Sequence, residues 1–495
     1  MNKVLVANRG EIALRIVRAL RELNIPSVAV YSDVDRNALH VQAANEAVRI
    51  GPAPSSQSYL NAERIIEAAR ATGADAIHPG YGFLSENADF ARLCQTCGVT
   101  FIGPSADSIE KVGSKTAART LALEAGAPVV PGTAALENVA DAAQAAAKIG
   151  YPVLLKAAAG GGGKGMRAVE NESQFESAMR TAASEAERAF GSREIYLEKL
   201  IHRPRHIEVQ VLGDQYGHII HLGERECSIQ RRHQKVVEES PSPLVLKKPE
   251  LRHQIGEAAL RIARAAGYYN AGTLEFLADQ DGRFYFLEMN TRLQVEHPVT
   301  EWVTGIDLVH WQIRIAAGEK LTIQQADVRW SGSAIECRVY AEDPGNNYLP
   351  SPGRITAYAE PSGPGIRVDG GVFAGWTVPM DYDPLLAKLT VWAENREAAI
   401  GRMLRALAEY RVLGITTNLA LFEALMRDDR FRAGDLDTGF LEGFRGAHPD
   451  RSSDGSFLAS LIAAASFRSG VPDDKNGNEE DPAVWRIEGR RALVR

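Results

Sequence analysis

Short apolar runs alternate with helical segments over the first 113 residues of this 495-residue chain. Strands are predicted at Val4–Ala7, Ser27–Tyr31, Ala74–Ile77 and Val99–Ile102. Ile12, Ile16 and Leu20 fall on one helical face after the first strand, and further helices are predicted near residues 37–45 and 61–71. Because strands that alternate with helices form a mostly parallel sheet, residues 1–113 are predicted to be an α/β domain that binds ligands at the carboxyl ends of its strands.

The length leaves room for about three domains, and the composition is that of a globular protein. Hydrophobic residues make up 45% and charged residues 24% of the chain, which excludes a disordered, collagen-like or coiled-coil protein. The net charge of −7 argues against partners such as nucleic acid or an anionic membrane. Four cysteines cannot form a disulfide framework, and neither a signal peptide nor a membrane helix is recognisable. A cytoplasmic location is therefore expected.

The pattern changes after residue 113. A series of predicted strands, two of them flanking a glycine loop and two forming a possible hairpin, indicates an α+β domain with antiparallel strands over residues 114–330. They are predicted at Tyr151–Ala157, Met166–Glu170, Glu194–Glu198, Ile207–Leu212 and His218–Gly223, with a hairpin turn at Tyr216-Gly217. Beyond residue 331, strands are predicted at Ala334–Tyr340 and Ala387–Trp392, helices near 396–411 and 418–428, and a linker at Arg468–Pro482.

A glycine run, Gly160–Gly165 interrupted by Lys164, lies between two of these strands. It is not a Walker-type loop, because Ala158 stands where the first glycine belongs and Gly165 replaces Ser or Thr. A dinucleotide-binding loop would be followed by a helix, whereas a strand follows here. The backbone N–H groups of such a flap can close over phosphate oxygens, with Lys156 and Lys164 adding positive charge. The alternative is a mobile surface hairpin without a ligand.

Two strands further along, Gly272–Leu277 and Phe284–Glu288, are predicted to form a hairpin. A two-residue type I′ turn at Asp281-Gly282 would place Glu275 directly opposite Glu288. Two facing carboxylates repel each other unless a proton or a cation lies between them. Asn290 would add a third hard oxygen on the same face, a donor set that suits Mg²⁺ or Mn²⁺. The alternative is a solvent-facing pair of glutamates. The apolar residues Phe284 and Phe286, which are predicted to share the face of Glu288, argue against it.

Two charged segments are candidates for the reacting centre. In Arg292–Pro298, Arg292 can hold an oxyanion and Glu296 can act as a general base at the same centre. The alternative is an i,i+4 ion pair on the surface of a helix. The basic run Gln230–Lys235 follows a strand of an acidic protein, so a small anionic substrate is favoured over nucleic acid.

Two further motifs lie in the N-terminal domain. His78–Leu84 follows a strand at the expected ligand-binding edge, where Tyr81 can present its ring to a ligand; a rigid packed turn is the alternative. Cys94 and Cys97 form a C-x-x-C pair at a helix end with no second pair nearby. That pair is interpreted as structural.

Taken together, these motifs resemble those of biotin carboxylase, the ATP-grasp component of biotin-dependent carboxylases. The resemblance spans residues 1–446 and rests on Ala7–Ala13, His78–Asn87, Gly160–Met166, Glu226–Glu239, Phe286–Thr300, Glu336–Arg338 and Tyr348–Gly353. It implies a Rossmann-like pre-ATP-grasp domain (1–113), an ATP-grasp domain (114–330) with a glycine-rich lid at about 131–204, and an α+β C-terminal domain (331–446). Residues 447–495 are expected to be a helical or linker tail, with the start of a following domain as one interpretation. Ala159 departs from family members that have a longer glycine run.

The resemblance also implies the roles of individual residues. ATP would contact Lys115, Lys156, Gly161, Gly162, Gly163, Glu198, Lys199, Ile201, His206, Gln230, His233 and Leu277. Glu275, Glu288 and Asn290 match the metal-binding residues, in agreement with the predicted hairpin. Bicarbonate would contact Lys235, Arg292, Gln294, Val295 and Glu296, and biotin would contact Tyr81, Gln294 and Arg338. The catalytic residues would be Glu296, Arg292, Arg338 and Lys235.

The implied reaction is that of an ATP-dependent ligase. Glu296 would deprotonate bicarbonate for attack on MgATP, or MnATP, with two metal ions in the site, and the resulting carboxyphosphate would carboxylate biotin. In the carrier proteins of this family the biotinylated lysine lies in a Met-Lys-Met motif, and none of the seven methionines here is followed by lysine. A separate biotin carrier protein is therefore expected, and the resemblance also implies a homodimer and a carboxyltransferase subunit. This would be the first half-reaction of an acyl-CoA carboxylase. The alternatives are another ATP-grasp carboxylate–amine ligase and a non-catalytic nucleotide-binding subunit.

Overall fold

The computed structural model describes residues 1–133, 136, 138–157, 166–232 and 234–444. The chain divides into two units, Met1–Ala447 and His448–Arg495. The predicted glycine loop, His233, the linker and the tail at 447–495 lie outside the described residues. None of the helices among the described residues is long and apolar enough to cross a membrane.

The N-terminal region is a five-stranded parallel sheet with the strand order β3-β2-β1-β4-β5. Its elements are β1 (Val4–Val6), α1 (Gly10–Glu22), β2 (Ser27–Ser32), α2 (Leu39–Ala43), β3 (Glu46–Gly51), α3 (Ala62–Thr72), β4 (Ala76–His78), α4 (Ala88–Thr96) and β5 (Thr100–Phe101). The parallel-sheet prediction is confirmed. The prediction missed β3, because this edge strand is largely exposed and carries Glu46 and Arg49 where an apolar run was sought.

The next region carries a small antiparallel sheet with the strand order β7-β6-β8. Its elements are α5 (Ala106–Gly113), α6 (Lys115–Glu124), α7 (Val139–Ile149), β6 (Val153–Ala157), β7 (Met166–Val169), α8 (Glu172–Phe190) and β8 (Ile195–Lys199). Val153, Leu155 and Leu197 pack with α7 and α8 in one apolar cluster. Lys156 pairs with Met166 across β6 and β7, so the predicted glycine run connects two antiparallel strands, as expected.

An antiparallel sheet of eight strands follows, with the order β13-β12-β9-β10-β11-β14-β21-β19. Its first part comprises β9 (Arg205–Gly213), β10 (Ile219–Arg231), β11 (Gln234–Ser240), α9 (Pro243–Lys247), α10 (Glu250–Ala265), β12 (Asn270–Ala278), β13 (Phe284–Asn290), α11 (His297–Thr304) and α12 (Leu308–Ala316). The remainder comprises β14 (Ser333–Tyr340), β15 (Glu342–Asp343), β16 (Leu349–Pro350), β17 (Gly353–Arg354), β18 (Ala357–Ala359), β19 (Ile366–Gly370), β20 (Thr377–Val378), β21 (Leu385–Ala393), α13 (Arg396–Glu409), β22 (Arg411–Leu413), α14 (Leu419–Arg427) and α15 (Asp429–Arg432). Hydrogen bonds between β11 and β14 carry this sheet across residue 330, where the sequence predicts a domain boundary.

The predicted strand at His218–Gly223 is much longer in the structure. β10 continues to Arg231, and β11 returns antiparallel to it from Gln234, so four residues of the basic run lie on strands, namely Gln230, Arg231, Gln234 and Lys235. Polar residues of β10 such as Glu224, Arg225 and Glu226 are buried. The sequence prediction missed the rest of these strands because it looked for apolar residues. Their buried charges pair with residues of neighbouring elements, as Arg225 does with Glu208 on β9 and Glu224 with Arg252 on α10.

The predicted pairing of Glu275 with Glu288 is confirmed, but the predicted turn is wrong. Asp279 and Arg283 close the hairpin, so three residues rather than two form the turn, with Gly282 at a φ of +87°. A bulge at Leu287 then shifts the register back by one residue. The same bulge reverses the faces: Phe286 and Met289 both pack in the core, so the expectation that Phe284 and Phe286 share the Glu288 face is also wrong.

Candidate functional site

A cleft of about 1020 Å³ lies between the small antiparallel sheet and one face of the eight-stranded sheet. Its wall includes predicted site residues from widely separated parts of the sequence, namely Lys115, Lys156, Glu198, Lys199, Ile201, His206, Gln230, Lys235, Glu275, Leu277, Glu288, Asn290, Arg292 and Gln294. Tyr81, Val295, Glu296 and Arg338 are not part of this wall. Gly161, Gly162, Gly163 and His233 lie outside the described residues.

Apolar side chains on the cleft wall form a part of the site that the sequence prediction did not identify. Val130, Leu154, Met166, Leu200 and Leu287 join the predicted Leu277 on the wall. An apolar wall beside a few charged groups is typical of sites that bind a flat heterocycle with an ionic tail. Leu154 and Lys156 lie on the same strand two residues apart, and this spacing is the signal that could have identified Leu154 as a wall residue.

The outer part of the cleft is built on β6 and β8. The Lys156 ammonium donates to the Glu198 carboxylate, and Arg119 lies 3.8 Å from the other oxygen of Glu198. Lys199 donates to the backbone carbonyls of Gly150 and Tyr151, each at 2.9 Å. The structure therefore brings together Lys156, Glu198 and Lys199, although the lysines are engaged with protein groups.

Glu275 and Glu288 face each other on the floor of the cleft, and Asn290 lies beside them. Asn290 donates to Glu275 at 2.8 Å. Burial would raise the pKa of Glu275, but the nearby charges of Lys235 and His206 outweigh this and hold the pKa well below its usual range. Burial and the negative charge of Glu275 raise the pKa of Glu288. A divalent cation would relieve that repulsion, and carboxylate and amide oxygens are the donors that Mg²⁺ prefers; these residues fit such an ion.

Lys235 is at the centre of a buried cluster of carboxylates. Its ammonium lies 2.9 Å from both Glu275 and Glu296 and also donates to Glu208. Glu208 was not predicted, although it is fully buried and also accepts from Arg225 at 3.0 Å. The alternation of His206, Glu208 and Gln210 with apolar residues along β9 is the sequence signal that indicates this polar face.

Glu296 and Arg338 form the second centre of the cluster. The Arg338 guanidinium lies 2.8 Å from Glu296 and also binds Glu238, another residue that the sequence prediction missed. Glu296 is fully buried. Burial and the charge of Glu208 would raise its pKa, but Lys235, Arg338 and Arg225 lower it, and the net shift is downward. Glu296 is therefore an ionised carboxylate at neutral pH, held between two cations.

Arg292 does not pair with Glu296 as an i,i+4 ion pair would. Residues 291–296 are not helical, and α11 begins only at His297. Arg292 instead binds Glu86 at 2.6 Å and Gln294 at 3.0 Å, and its side chain remains on the cleft wall. The alternative of a helix-surface ion pair is therefore excluded.

The loop after β4 places Tyr81 near this cluster. Its hydroxyl donates to Glu11 in the first turn of α1, and the positive charge of Arg338 acts on the same hydroxyl. Burial, together with Glu11, raises the pKa of Tyr81 well above its usual value, so the hydroxyl stays protonated. Cys94 and Cys97 are free thiols; Cys94 is buried. Burial raises the pKa of Cys94 to about 12, which agrees with a structural role.

Three families match successive parts of the chain. Residues 1–109 match the family described as biotin carboxylase, N-terminal domain. Residues 114–324 match carbamoyl-phosphate synthase L chain, ATP binding domain, and residues 336–443 match biotin carboxylase C-terminal domain. Together these matches cover most of the chain.

Similar proteins agree with these matches. Biotin carboxylase 1 of Bacillus subtilis (strain 168) is 52% identical over 444 residues, which cover 89% of this chain and 98% of that protein. The small subunit of 2-oxoglutarate carboxylase from Hydrogenobacter thermophilus is 50% identical over 468 residues, which cover 93% of this chain and 98% of that protein. Among solved structures, the biotin carboxylase domain dimer of Hydrogenobacter thermophilus 2-oxoglutarate carboxylase, in complex with MgADP, ADP and bicarbonate, is 51% identical. Its TM-score is 0.84, with 90% of this chain and 98% of that chain covered.

Proposed function

The chain belongs to the biotin carboxylase family, ATP-dependent ligases that carboxylate biotin, and we propose that the buried charges on and directly beneath the floor of its cleft carry this reaction. The observation that carries the proposal is the position of Glu296. Its buried carboxylate lies between Lys235 and Arg338, and Lys235 also contacts Glu275 of the facing carboxylate pair. An ionised carboxylate fixed in this way beside a site for a metal and phosphates can act as a general base.

ATP is assigned to the cleft, with its phosphates toward the floor. The apolar wall suits the adenine ring, and the residues proposed to contact ATP are Lys115, Lys156, Glu198, Lys199, Ile201, His206, Gln230 and Leu277, with Gly161, Gly162, Gly163 and His233 completing the set. Glu275, Glu288 and Asn290 are proposed to hold Mg²⁺ or Mn²⁺, with two ions in the full site. The bound ions supply positive charge against the phosphates. Lys156 and Lys199 have to exchange protein partners for phosphate oxygens.

Bicarbonate is assigned to the inner end of the cleft. Lys235, Arg292, Gln294 and the backbone at Val295 are proposed to hold the anion, because two cations and an amide converge there. Glu296 takes the bicarbonate proton, and the resulting dianion attacks the γ-phosphorus of ATP. The bond from that phosphorus to the β–γ bridging oxygen breaks, so that ADP leaves and carboxyphosphate forms. The cations beside Glu296 lower the cost of placing the bicarbonate anion next to the Glu296 carboxylate, and they also stabilise the dianion that forms when Glu296 takes the proton.

Biotin is assigned to the region of Arg338, Tyr81 and Gln294. Arg338 is already oriented by Glu238 and Glu296. Carboxyphosphate is proposed to release CO₂ and phosphate, and this phosphate takes the N1′ proton of biotin, whose nitrogen then bonds to the CO₂. The Arg338 guanidinium is proposed to stabilise the negative charge that develops on the ureido oxygen when that proton leaves. Tyr81 keeps its proton and is fixed by Glu11, so its role is to bind and orient the ring system.

The partners follow from the same assignment. Similar chains include the small subunit of a 2-oxoglutarate carboxylase and a biotin carboxylase domain dimer. We propose that a separate carrier protein supplies biotin, that a carboxyltransferase subunit consumes carboxybiotin, and that the chain forms a homodimer. The domain boundaries at 113/114, 330/331 and 446/447, with a lid at 131–204, belong to the proposal, as does a cytoplasmic location.

The experiment that tests the function is ATP hydrolysis in bicarbonate and Mg²⁺, with and without free biotin. The expected result is hydrolysis that rises with biotin, with carboxybiotin as a product. Hydrolysis that is independent of biotin and bicarbonate would contradict the proposal and favour another ATP-grasp ligase.

Two variants separate the assigned sites within that assay. Glu275→Gln should raise the Mg²⁺ concentration needed for half-maximal rate by about tenfold, because one charged ligand is lost. Arg338→Ala should reduce biotin carboxylation far more than ATP binding. Equal losses of nucleotide affinity in both variants would count against the assignment.

A further inference from the structure

One face of the C-terminal half of the large sheet is polar, and it lies against the catalytic segment. Arg338 of β14 is directly opposite Lys388 of β21, and Lys388 is opposite Asp369 of β19. The alternate residues Cys337 and Leu389 point to the other face, into an apolar core. α11 packs on β14 and β21, so the segment that leads into α11, residues 291–296, lies over this polar face.

Lys388 is fully buried and its ammonium meets three groups. It donates to the backbone carbonyl of Val295 at 2.8 Å. It lies 3.3 Å from the Glu11 carboxylate and 3.8 Å from that of Asp369. Arg338 and Lys388 are therefore adjacent cations that contact the same segment, residues 291–296. Arg338 binds the Glu296 carboxylate, and Lys388 binds the backbone carbonyl of Val295.

The contact with Glu11 connects Lys388 to the N-terminal region. Glu11 accepts a hydrogen bond from the Tyr81 hydroxyl while its other oxygen faces Lys388. A single ammonium thus contacts the backbone before the proposed general base and the carboxylate that orients Tyr81. Both groups belong to the proposed bicarbonate and biotin half of the site, and Lys388 is absent from the cleft wall where ATP is assigned.

Charge neutralisation of Asp369 does not account for this lysine. Arg367 already binds both oxygens of Asp369, at 2.9 and 2.7 Å. Burying a lysine is costly unless its hydrogen bonds are used, and the shortest of these goes to Val295. The contacts of Lys388 that no other described side chain duplicates are therefore those with the Val295 carbonyl and the Glu11 carboxylate.

We propose that Lys388 is a positioning residue for the bicarbonate and biotin half of the site, acting by fixing the Val295 carbonyl and the Glu11–Tyr81 pair. It does not touch the substrates. Without its ammonium, the Val295–Glu296 peptide loses its anchor and Tyr81 loses its fixed acceptor. Because small displacements of reacting groups are costly, the effect falls on the use of bicarbonate and biotin and not on ATP binding. This inference rests on the proposed function.

The experiment compares Lys388→Met with Thr390→Val. Thr390 lies on the same strand and face and is equally buried, but it donates to Glu336 instead of the catalytic segment. Lys388→Met should lower kcat/KM for bicarbonate and for free biotin by about 10- to 100-fold, with the dissociation constant of ATP unchanged within about twofold. Thr390→Val should leave all three values near those of the wild type.

A second readout does not depend on activity. Hydrogen exchange of the backbone amides in residues 291–297 should become faster in Lys388→Met and not in Thr390→Val. This separates the two proposals: a wild type without biotin-dependent hydrolysis contradicts the function, whereas unchanged exchange in Lys388→Met contradicts the positioning role. Unchanged kcat/KM for bicarbonate and biotin, or an equal loss of ATP affinity, would also overturn it.

The double variant Glu11→Gln/Lys388→Met covers the case in which the single variant does not fold. It removes the buried ion pair as a unit, leaves Asp369 with Arg367, and still leaves the Val295 carbonyl without its donor. The expected result is a folded protein with the same selective loss for bicarbonate and biotin. A folded double variant with wild-type kinetics, or a failure of both variants to fold, would assign Lys388 to folding alone and end the proposal.

Discussion

The floor and the outer wall of the cleft are built differently. The inner cluster beneath the floor consists of Glu208, Arg225, Lys235, Glu296 and Arg338, all on or beside the eight-stranded sheet, and of these only Lys235 lines the cleft. Glu208, Arg225 and Glu296 have no exposed surface. The outer wall consists of Lys156, Glu198 and Lys199 on the small antiparallel sheet, where the Lys156 and Glu198 side chains keep 14% and 12% of their surface exposed.

This difference separates preformed chemistry from adaptable binding. Charges in the inner cluster are fixed by several partners each, so the dipoles and charges that a transition state needs are already oriented before substrate arrives. The Lys156 and Glu198 side chains of the outer wall keep some exposed surface, so we expect them to exchange their protein partners for the proposed phosphate oxygens at lower cost. The floor is therefore expected to govern turnover and stability, and the wall to govern nucleotide affinity.

The largest expected effect is that of Glu296→Gln on turnover. Loss of the general base should lower the biotin-dependent rate by about 10²- to 10⁴-fold, because glutamine cannot take the bicarbonate proton. The dissociation constant of ATP should stay within about twofold of the wild-type value. Steady-state kinetics measure the turnover, and equilibrium nucleotide binding measures the dissociation constant of ATP. Equal losses of turnover and of ATP affinity would show that floor and wall do not have separate roles.

Arg225→Met should have the largest effect on stability. Arg225 donates to Glu208, to Gln210 at 2.7 Å and to Thr273 at 2.9 Å. Removing the guanidinium leaves these buried acceptors short of a donor, which should lower the free energy of unfolding by about 3–5 kcal/mol. Urea unfolding measures this change.

Arg92→Met is the matched control for that measurement. The Arg92 side chain is 40% exposed and pairs with Glu110 on the surface, so a loss of about 1 kcal/mol or less is expected. Similar losses in the two variants would mean that burial of the floor charges does not make them more important for stability.

The parts of the fold that sequence predicts are those with an apolar pattern. The alternation of β1, α1 and β2 indicates a parallel sheet, and the facing pair Glu275 and Glu288 follows from two flanking strands. The pairing is correct although the predicted two-residue turn is wrong. The three-residue turn that ends at Gly282 shifts the register by one residue, and the bulge at Leu287 shifts it back. Neither feature leaves an apolar signal.

The inner cluster was only partly predictable for a related reason. β10 and β11 bury Glu224, Arg225 and Glu238, so the hydrophobic pattern that marks a strand is missing there. Which charges meet also depends on register between strands that are distant in sequence, as for Arg338 and Lys388. Resemblance to a family supplied Arg338 and Lys235. The alternation along β9 could have marked Glu208 as part of a polar face, but the partners of Glu208 and Lys388 required the structure.

Glu208→Gln tests the role of the buried charges through the pH dependence of the free energy of unfolding. Burial would raise the pKa of Glu208, but Lys235 and Arg225 outweigh it and lower the pKa. In the unfolded chain the pKa of this carboxyl is about 4.5, so the unfolded state binds the proton at a higher pH than the folded state does. The stabilisation is present above pH 4.5 and is lost as the pH falls through the lowered folded value.

The variant should therefore be less stable than the wild type by roughly 1–3 kcal/mol at pH 7, and the difference should shrink below pH 4.5. Urea unfolding at pH 7, 5 and 4 checks this. A difference that grows on acidification would show that Glu208 is not held as an anion.

The smallest expected effect is that of Lys156→Met on the outer wall. Glu198 loses the Lys156 ammonium but keeps Arg119 at 3.8 Å, so the free energy of unfolding should fall by about 1 kcal/mol or less. The dissociation constant of ATP should rise by about five- to tenfold, because one charged hydrogen bond to phosphate is lost. Turnover at saturating ATP should change less than in Glu296→Gln. Urea unfolding and nucleotide titration measure the two quantities, and a loss of stability as large as that of Arg225→Met would show that the wall is preformed as firmly as the floor.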